Sequence, residues 1–383
     1  MKLFKSLLVA PATLGLLAPM SATANEITIN DFNPVVEETL LAGGEGLVDD
    51  SYDGGFSETT SASFSADFAI GAVDGSGITT ADKDNGTQAL TAVYGFQIDL
   101  STSFTGEDSL DISIDAGNAG AAGVAEFDLN STGDNLAIDG VAYSFPIGDK
   151  TSAFVGAQGT DGSSAFTVAC TYGGPSNTLD DCGNVQSGFN SMSGSSAGAS
   201  YAFTDEFTMA VGYAGNGTAS NRGLMTAEGL DAVGINAAYT TDGYGLSATY
   251  SSVETEITAG GKTSGYNDGS LAINGYFSPE GFPSISAGYE FTDIGGVGTN
   301  VDEKSSFFVG LQFDEVGPGS AGIAVGTQGS ITEGNDEALM YEAYYSYPVN
   351  DGMTITPLVY AKEATTSTDE DETGIMVKTS FSF

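Results

Sequence analysis

From residue 57 onward the chain is a succession of short segments in which apolar and polar residues alternate, and the segments come in pairs. The two arms of a pair are joined by a very short turn, whereas successive pairs are separated by longer polar stretches. In 90–104, Ala92, Tyr94, Phe96, Ile98 and Leu100 share one side of an extended chain, and Gly95, Gln97 and Asp99 share the other. In 110–116, Leu110, Ile112 and Ile114 alternate with Asp111, Ser113 and Asp115. Thr105-Gly106-Glu107 joins them, with Gly106 free to take positive φ. A period of two belongs to strands and not to helices.

The design recurs in six further pairs: 141–147 with 153–158, 197–203 with 207–213, 233–239 with 244–250, 271–277 with 285–291, 307–313 with 321–325, and 341–349 with 353–361. An opening strand at 60–70 and a closing strand at 374–383 bring the total to about sixteen, within a range of 14–18. The range reflects 125–129 and 165–169, which are also strand-like and are assigned to loops. An even number of strands, short turns on one rim and long loops on the other predict an all-β, antiparallel, up-and-down transmembrane barrel. Its short turns would face the periplasm and its long loops the cell exterior.

Both ends of the chain agree with that expectation. Lys2 and Lys5 precede an apolar stretch at 7–17, and Ala22-Thr23-Ala24 has the small-x-small pattern of a cleavage site. Residues 1–24 read as a cleaved export signal, because the apolar run is interrupted and shorter than the about 20 residues of a spanning helix. Residues 25–56 read as an acidic periplasmic extension, and 57–383 as the barrel. The last strand alternates Ile375, Val377, Thr379, Phe381 and Phe383 with Met376, Lys378, Ser380 and Ser382. It looks like the closing strand of a bacterial outer-membrane barrel, in which the terminal aromatics, here Phe381 and Phe383, serve as an insertion signal.

The chain contains no histidine. That excludes Ser/His/Asp and Cys/His nucleophilic sites and histidine-ligated zinc, and leaves open a carboxylate-pair glycosidase, for which two close acids among 51 have almost no diagnostic value; no catalytic residues, cofactor or metal are expected. A formal net charge of −42 repels nucleic acid and attracts cations. Tryptophan is also missing, so the 17 tyrosines and the phenylalanines would have to form any interfacial aromatic girdle.

The third long loop, 159–195, is the longest and holds both cysteines, Cys170 and Cys182, on either side of a Gly-Pro turn. In an exported chain this spacing predicts a disulfide, with a metal site as the alternative.

Three stretches carry a resemblance: G-F-S-E-T-T-S-A-S-F-S-A-D-F-A-I-G-A from Gly55, Y-G-F-Q-I-D-L-S-T-S-F-T-G-E-D-S-L from Tyr94, and the cysteine loop at 170–184. With the leader M-K-L-F-K-S-L-L-V-A-P-A-T-L-G-L, they resemble the outer-membrane porins of marine picocyanobacteria. More broadly, those proteins are similar to the carbohydrate-selective porin group, and relatives are often labelled iron-uptake porins. The resemblance implies a homotrimer in the outer membrane of a Gram-negative-type, cyanobacterial cell, in contact with its lipid. It also implies a third loop folded inward to narrow the pore, with Asp180 and Asp181 as constriction candidates. Such porins usually carry an S-layer-homology domain before the barrel, and 25–55 is too short to hold one.

The function expected is passive diffusion of small hydrophilic solutes and cations. If Tyr94, Phe96, Ile98 and Leu100 face lipid, alternation turns Asp67, Asp99, Asp111, Asp115, Glu290 and Glu342 into the lumen, and acidic rings favour cations. The alternative from another class is a secreted acidic calcium-binding β-protein, an adhesin or envelope-lattice component.

Overall fold

Each alternating segment forms a strand, and each strand finds two neighbours. A computed structural model describes residues 60–75, 89–119, 126–127, 129–189, 193–215, 224–226, 230–259, 262–295, 303–365 and 370–382. The export signal, the acidic extension, Asp369 and Phe383 lie outside these residues. The staves are β1 Thr60–Asp74, β2 Thr91–Thr102, β3 Ser109–Gly117, β4 Ala137–Ile147, β5 Thr151–Asp161, β6 Ser193–Ala202, β7 Phe207–Gly215 and β8 Asp231–Thr240. They continue as β9 Tyr244–Ala259, β10 Lys262–Phe277, β11 Ser284–Asp293, β12 Glu303–Val316, β13 Gly319–Thr327, β14 Leu339–Asn350, β15 Met353–Lys362 and β16 Glu372–Ser382.

Each strand pairs antiparallel with its sequence neighbours, and β1 pairs with both β2 and β16, so the sheet closes on itself as a sixteen-stranded barrel. The closing register runs from Ser65 opposite Ser382 to Asp74 opposite Thr373. Closure leaves no open edge, so the strands satisfy one another's backbone groups. A two-residue segment, Ile331–Thr332, pairs with Lys304 and Ser305 at the long-loop rim and is not a stave.

The polarity of the wall is inverted relative to a water-soluble barrel. Along β11, Ser284, Ser286, Glu290 and Thr292 are buried, while Ile285, Tyr289 and Phe291 alternate with them and are exposed. Val211, Val233, Leu246, Ile273, Val309, Ile323 and Val359 extend the exposed apolar band around the ring. Apolar side chains turned outward over polar ones turned inward match a wall with hydrocarbon outside and water inside. Among the described residues no helix is long and apolar enough to cross a membrane, which says nothing of crossing by strands.

Near the short turns, aromatic rings meet on several staves: Tyr143 with Phe145 on β4, Tyr201 with Phe203, Phe203 with Phe207 and Tyr239 with Tyr244 between β6 and β9, and Tyr345 with Tyr347 on β14. Tyrosine and phenylalanine thus form a rim girdle without tryptophan.

The first short turn shows how local chemistry sets the hairpin. Gly106 has φ +87°. Asp108 Oδ1 accepts from the backbone N–H groups of Phe104 and Thr105 and from the hydroxyls of Ser103 and Thr105, at 2.8–2.9 Å. Its Oδ2 accepts from the Tyr143 hydroxyl at 2.6 Å. These bonds, that of Tyr143 foremost, hold the Asp108 carboxyl well below the usual carboxylate range.

One connection differs from the sequence reading. The stretch between 250 and 271, read as a long polar loop, is instead strand over 251–259 and 262–270, with Ala259 paired to Lys262. The β-branched residues Val253, Thr255, Ile257 and Thr258 favour extension, while the polar residues around them make the stretch read as a loop.

Candidate constriction and ion pathway

The third long loop leaves β5 through an irregularity in which pairing with β6 jumps from Gly156 opposite Ser196 to Thr160 opposite Gly194. Gly159 has φ +72° there, and a Cβ on it would lie 1.5 Å from the Asp139 carbonyl oxygen, so only glycine fits. The loop then runs inside the barrel, across the strands rather than along them.

Its outgoing arm is spaced like a strand. The backbone N–H groups of Thr167, Ala169, Thr171 and Gly173 donate in turn to Asn236 Oδ1 on β8, Ser247 Oγ on β9, Ser286 Oγ on β11 and Gln312 Oε1 on β12, at 2.8–3.3 Å. Tyr172 carries the path to β14, its hydroxyl donating to Glu342 Oε1 at 2.6 Å. The returning arm retraces the same wall. Asn274 on β10 donates to the Cys182 carbonyl and Ser306 on β12 to the Gly183 carbonyl, both at 2.9 Å. Glu290 on β11 then accepts three bonds, from the Gln186 N–H, the Ser187 N–H and the Ser187 hydroxyl, at 2.6–2.8 Å.

The disulfide between Cys170 and Cys182, with Cα atoms 6.6 Å apart, ties the two arms together. No free cysteine is present among the described residues.

The wall beneath the loop is surfaced with inward glycines. A Cβ on Gly288 would lie 2.0 Å from the Cys182 carbonyl oxygen; one on Gly212 would lie 2.0 Å from that of Gly162; and Gly310 and Gly322 receive the Tyr172 ring. Small residues let loop backbone approach sheet backbone, and Phe189 and Leu179, 0% and 2% exposed, fill the remaining space. Sequence reading missed this bed. The signal for it was glycine recurring at inward positions on successive strands, beside Ser, Thr and Asn.

Ring order puts β10 eight staves from β2, so the wall of β1–β3 lies across from the loop-covered wall. Four of the acidic residues expected to face inward stand there. Asp99 Oδ1 accepts from Gln97 Nε2 and Ser113 Oγ, both at 2.7 Å, and Asp111 from Ser109 Oγ at 2.6 Å. Asp67 and Gln97, with Ser65 and Asn130, line a recess of about 140 Å³. Asp115 shares the inward face of Asp111 on β3 and is buried. The other two, Glu290 and Glu342, also point inward but are 0% and 5% exposed, because the third loop covers them and uses them as hydrogen-bond acceptors. Strand alternation fixes a face and cannot show what covers it.

The second long loop also enters the lumen, which the sequence reading did not foresee. Phe127 is buried and Lys378 of β16 lies over its ring, 5.4 Å from the centroid. Glu126 forms an ion pair with Lys362 of β15, and its carbonyl accepts from the Asn177 N–H at 2.9 Å, joining the second loop to the third.

The third-loop acids differ from free carboxylates. Asp181 keeps contact with solvent, but the protein around it partly desolvates its carboxyl. That desolvation, and next the charge of neighbouring Asp180, push its carboxyl up to about 7. Burial, and then Glu342, raise the Tyr172 phenol well above its ordinary range.

No family model matches the chain. In sequence it is similar to the uncharacterized protein alr4550 of Nostoc sp., 26% identical over 86% of this chain and 66% of that protein. The chain thus spans just under two thirds of the length of that relative. Solved structures agree in fold. OprB of Pseudomonas putida superposes with a TM-score of 0.59 at 13% identity, covering 85% of this chain and 94% of that one. The anion-selective porin of Comamonas acidovorans gives 0.58 at 13%, with 85% and 99% covered. The trimer form of OmpT, an outer membrane protein of Vibrio cholerae, gives 0.54 at 9%, with 85% and 100% covered. The chain has the barrel fold of bacterial outer-membrane porins.

Proposed function

We propose that the chain is an outer-membrane porin, a passive diffusion channel for small hydrophilic solutes and ions that prefers cations. One observation carries the reading: a disulfide-closed loop lies against the inner wall, held at rung after rung, facing a wall of inward carboxylates. A barrel that only needed a filled interior would not require that asymmetry. The inverted polarity of the wall favours membrane insertion over the secreted calcium-binding reading. The work needs no catalysis, since the barrel provides a wet path and the loop sets its width.

The preference for cations follows from which charges face the path. Asp67, Asp99, Asp111 and Asp115 line one side, and Asp180 and Asp181 belong to the loop on the other. Lys362 is paired with Glu126, and Lys378 lies over Phe127. Carboxylates on both sides of a narrow path favour cations. Anion selectivity is a property of the Comamonas porin, and it sets the contrast to be tested. Glu290 and Glu342 act as loop anchors in this reading. The short turns face the periplasm, Phe381 and Phe383 form the insertion signal, and the assembly is a homotrimer like the form in which OmpT has been solved. Residues 1–24 are an export signal and 25–56 an acidic extension, and the cell is Gram-negative and cyanobacterial.

Reconstitution tests this reading. Purified protein added to a planar bilayer should give stepwise ohmic conductance and should swell liposomes in small sugars, with covalent cross-linking trapping a trimer. Folded, inserted barrels without conductance steps would refute the channel.

A further inference from the structure

Where the second loop meets the tip of the third, three buried oxygen atoms have no hydrogen-bond partner: Oε2 of Glu126, Oγ of Ser176 and Oε2 of Glu342. The residues that carry them are 6%, 1% and 5% exposed. The third-loop tip ties them into one cluster. On one side, the Tyr172 hydroxyl bonds Oε1 of Glu342 at 2.6 Å. On the other, the Asn177 N–H bonds the Glu126 carbonyl at 2.9 Å, and the Thr178 hydroxyl bonds Glu126 Oε1 at 3.2 Å. Ser176 lies between these contacts in the chain. The Glu342 carboxyl is within interaction range of the Ser176 hydroxyl and of the charges of Glu126 and Asp180. Yet none of the three oxygens meets another in hydrogen-bonding geometry.

The charges do not balance either. Lys362 binds Oε1 of Glu126, so one ammonium faces two buried carboxylates. A buried carboxylate oxygen without a partner is costly, and two beside an unsatisfied hydroxyl call for a shared positive ligand. The geometry points to a binding site for one hard divalent cation, calcium or magnesium, held by Oε2 of Glu126, Oε2 of Glu342 and Oγ of Ser176, with water completing its shell. Oxygen ligands of this kind suit such ions. The ion latches the second loop to the third and to β14, and so holds both lumen loops in one arrangement. The site contributes only two carboxylates, and among the described residues no group of three His, Cys, Asp or Glu side chains is placed to hold a metal. Its affinity therefore belongs with weak extracellular calcium sites, with a dissociation constant of about 10⁻⁴ to 10⁻³ M.

The site can be tested without reference to conduction. The chain has no tryptophan, so tyrosine is its only strong sensitiser of lanthanide emission, and Tyr172 already touches Glu342. Chelator-treated, detergent-folded protein should be titrated with Tb³⁺ in high NaCl, which screens diffuse binding by the acidic loops. The bound ion should then be displaced with Ca²⁺ and with Mg²⁺. Tyrosine-sensitised emission should saturate and should be displaced, with affinity weakened about tenfold or more in Glu126→Gln and Glu342→Gln and by less in Ser176→Ala. Heat-shifted gel mobility checks that each variant is folded. If the Gln variants do not fold, Ser176→Ala decides. Absence of a saturable signal in the parent, or folded variants that bind as the parent does, would overturn the site.

Discussion

Glu290 is the residue on which the returning arm of the third loop depends. Fully buried, it accepts from two backbone N–H groups and a hydroxyl. Glu290→Gln keeps the shape but turns one acceptor into a donor that faces donors, and one unsatisfied buried group costs about 1–3 kcal/mol. The variant should fold as a barrel but show noisier single-channel current than the parent; equal noise would mean that the arm is held elsewhere. On the proposed path, Asp181 would supply a pH dependence. Its carboxyl, pushed up to about 7, is neutral below that value and charged above it. Cation preference should therefore rise between pH 6 and 8, and the rise should vanish in Asp181→Asn. A pH step that survives in that variant would assign the titration to another group.

At the scale of elements, the strands are legible because alternation is a local signal, readable within each segment without knowing its partners. Gly106 and Asn350-Asp351-Gly352 marked short turns for the same reason. The loops are not legible in that way. Where 126–127, 129–130 and 162–189 lie depends on polar side chains and glycines brought from distant strands, such as Asn236, Ser247, Ser286 and Gly288, and no local pattern pairs them. The cysteine spacing is the exception, because two cysteines this close imply their own contact. The disulfide should contribute about 3 kcal/mol by restricting the unfolded chain. Cys170→Ser combined with Cys182→Ser should leave a folded barrel whose conductance or its fluctuations differ from the parent's. Gly288→Val should act on the same arm from below, since the Cys182 carbonyl lies where its side chain would go. Parent-like channels from both variants would put the loop outside the constriction.

Across the whole molecule, the 51 acidic residues act in two ways that salt separates. Loop acids at the rim, such as Glu370 and Asp371, set a field that is screened within about 8 Å at physiological ionic strength. On the proposed path, an ion passing along the wall of β1–β3 would come within that distance of the inward carboxylates, which would then keep their influence in concentrated salt. The central claim is a cation-preferring path between those carboxylates and the stapled loop. Its most direct test is the zero-current potential of the reconstituted protein across a KCl gradient, for the parent and for Asp99→Asn, Asp111→Asn and Asp115→Asn combined. The account predicts a potential of the sign for K⁺ passage in the parent, moving toward zero in the triple variant. A potential of the opposite sign in the parent, or one that the triple substitution does not move, would contradict it.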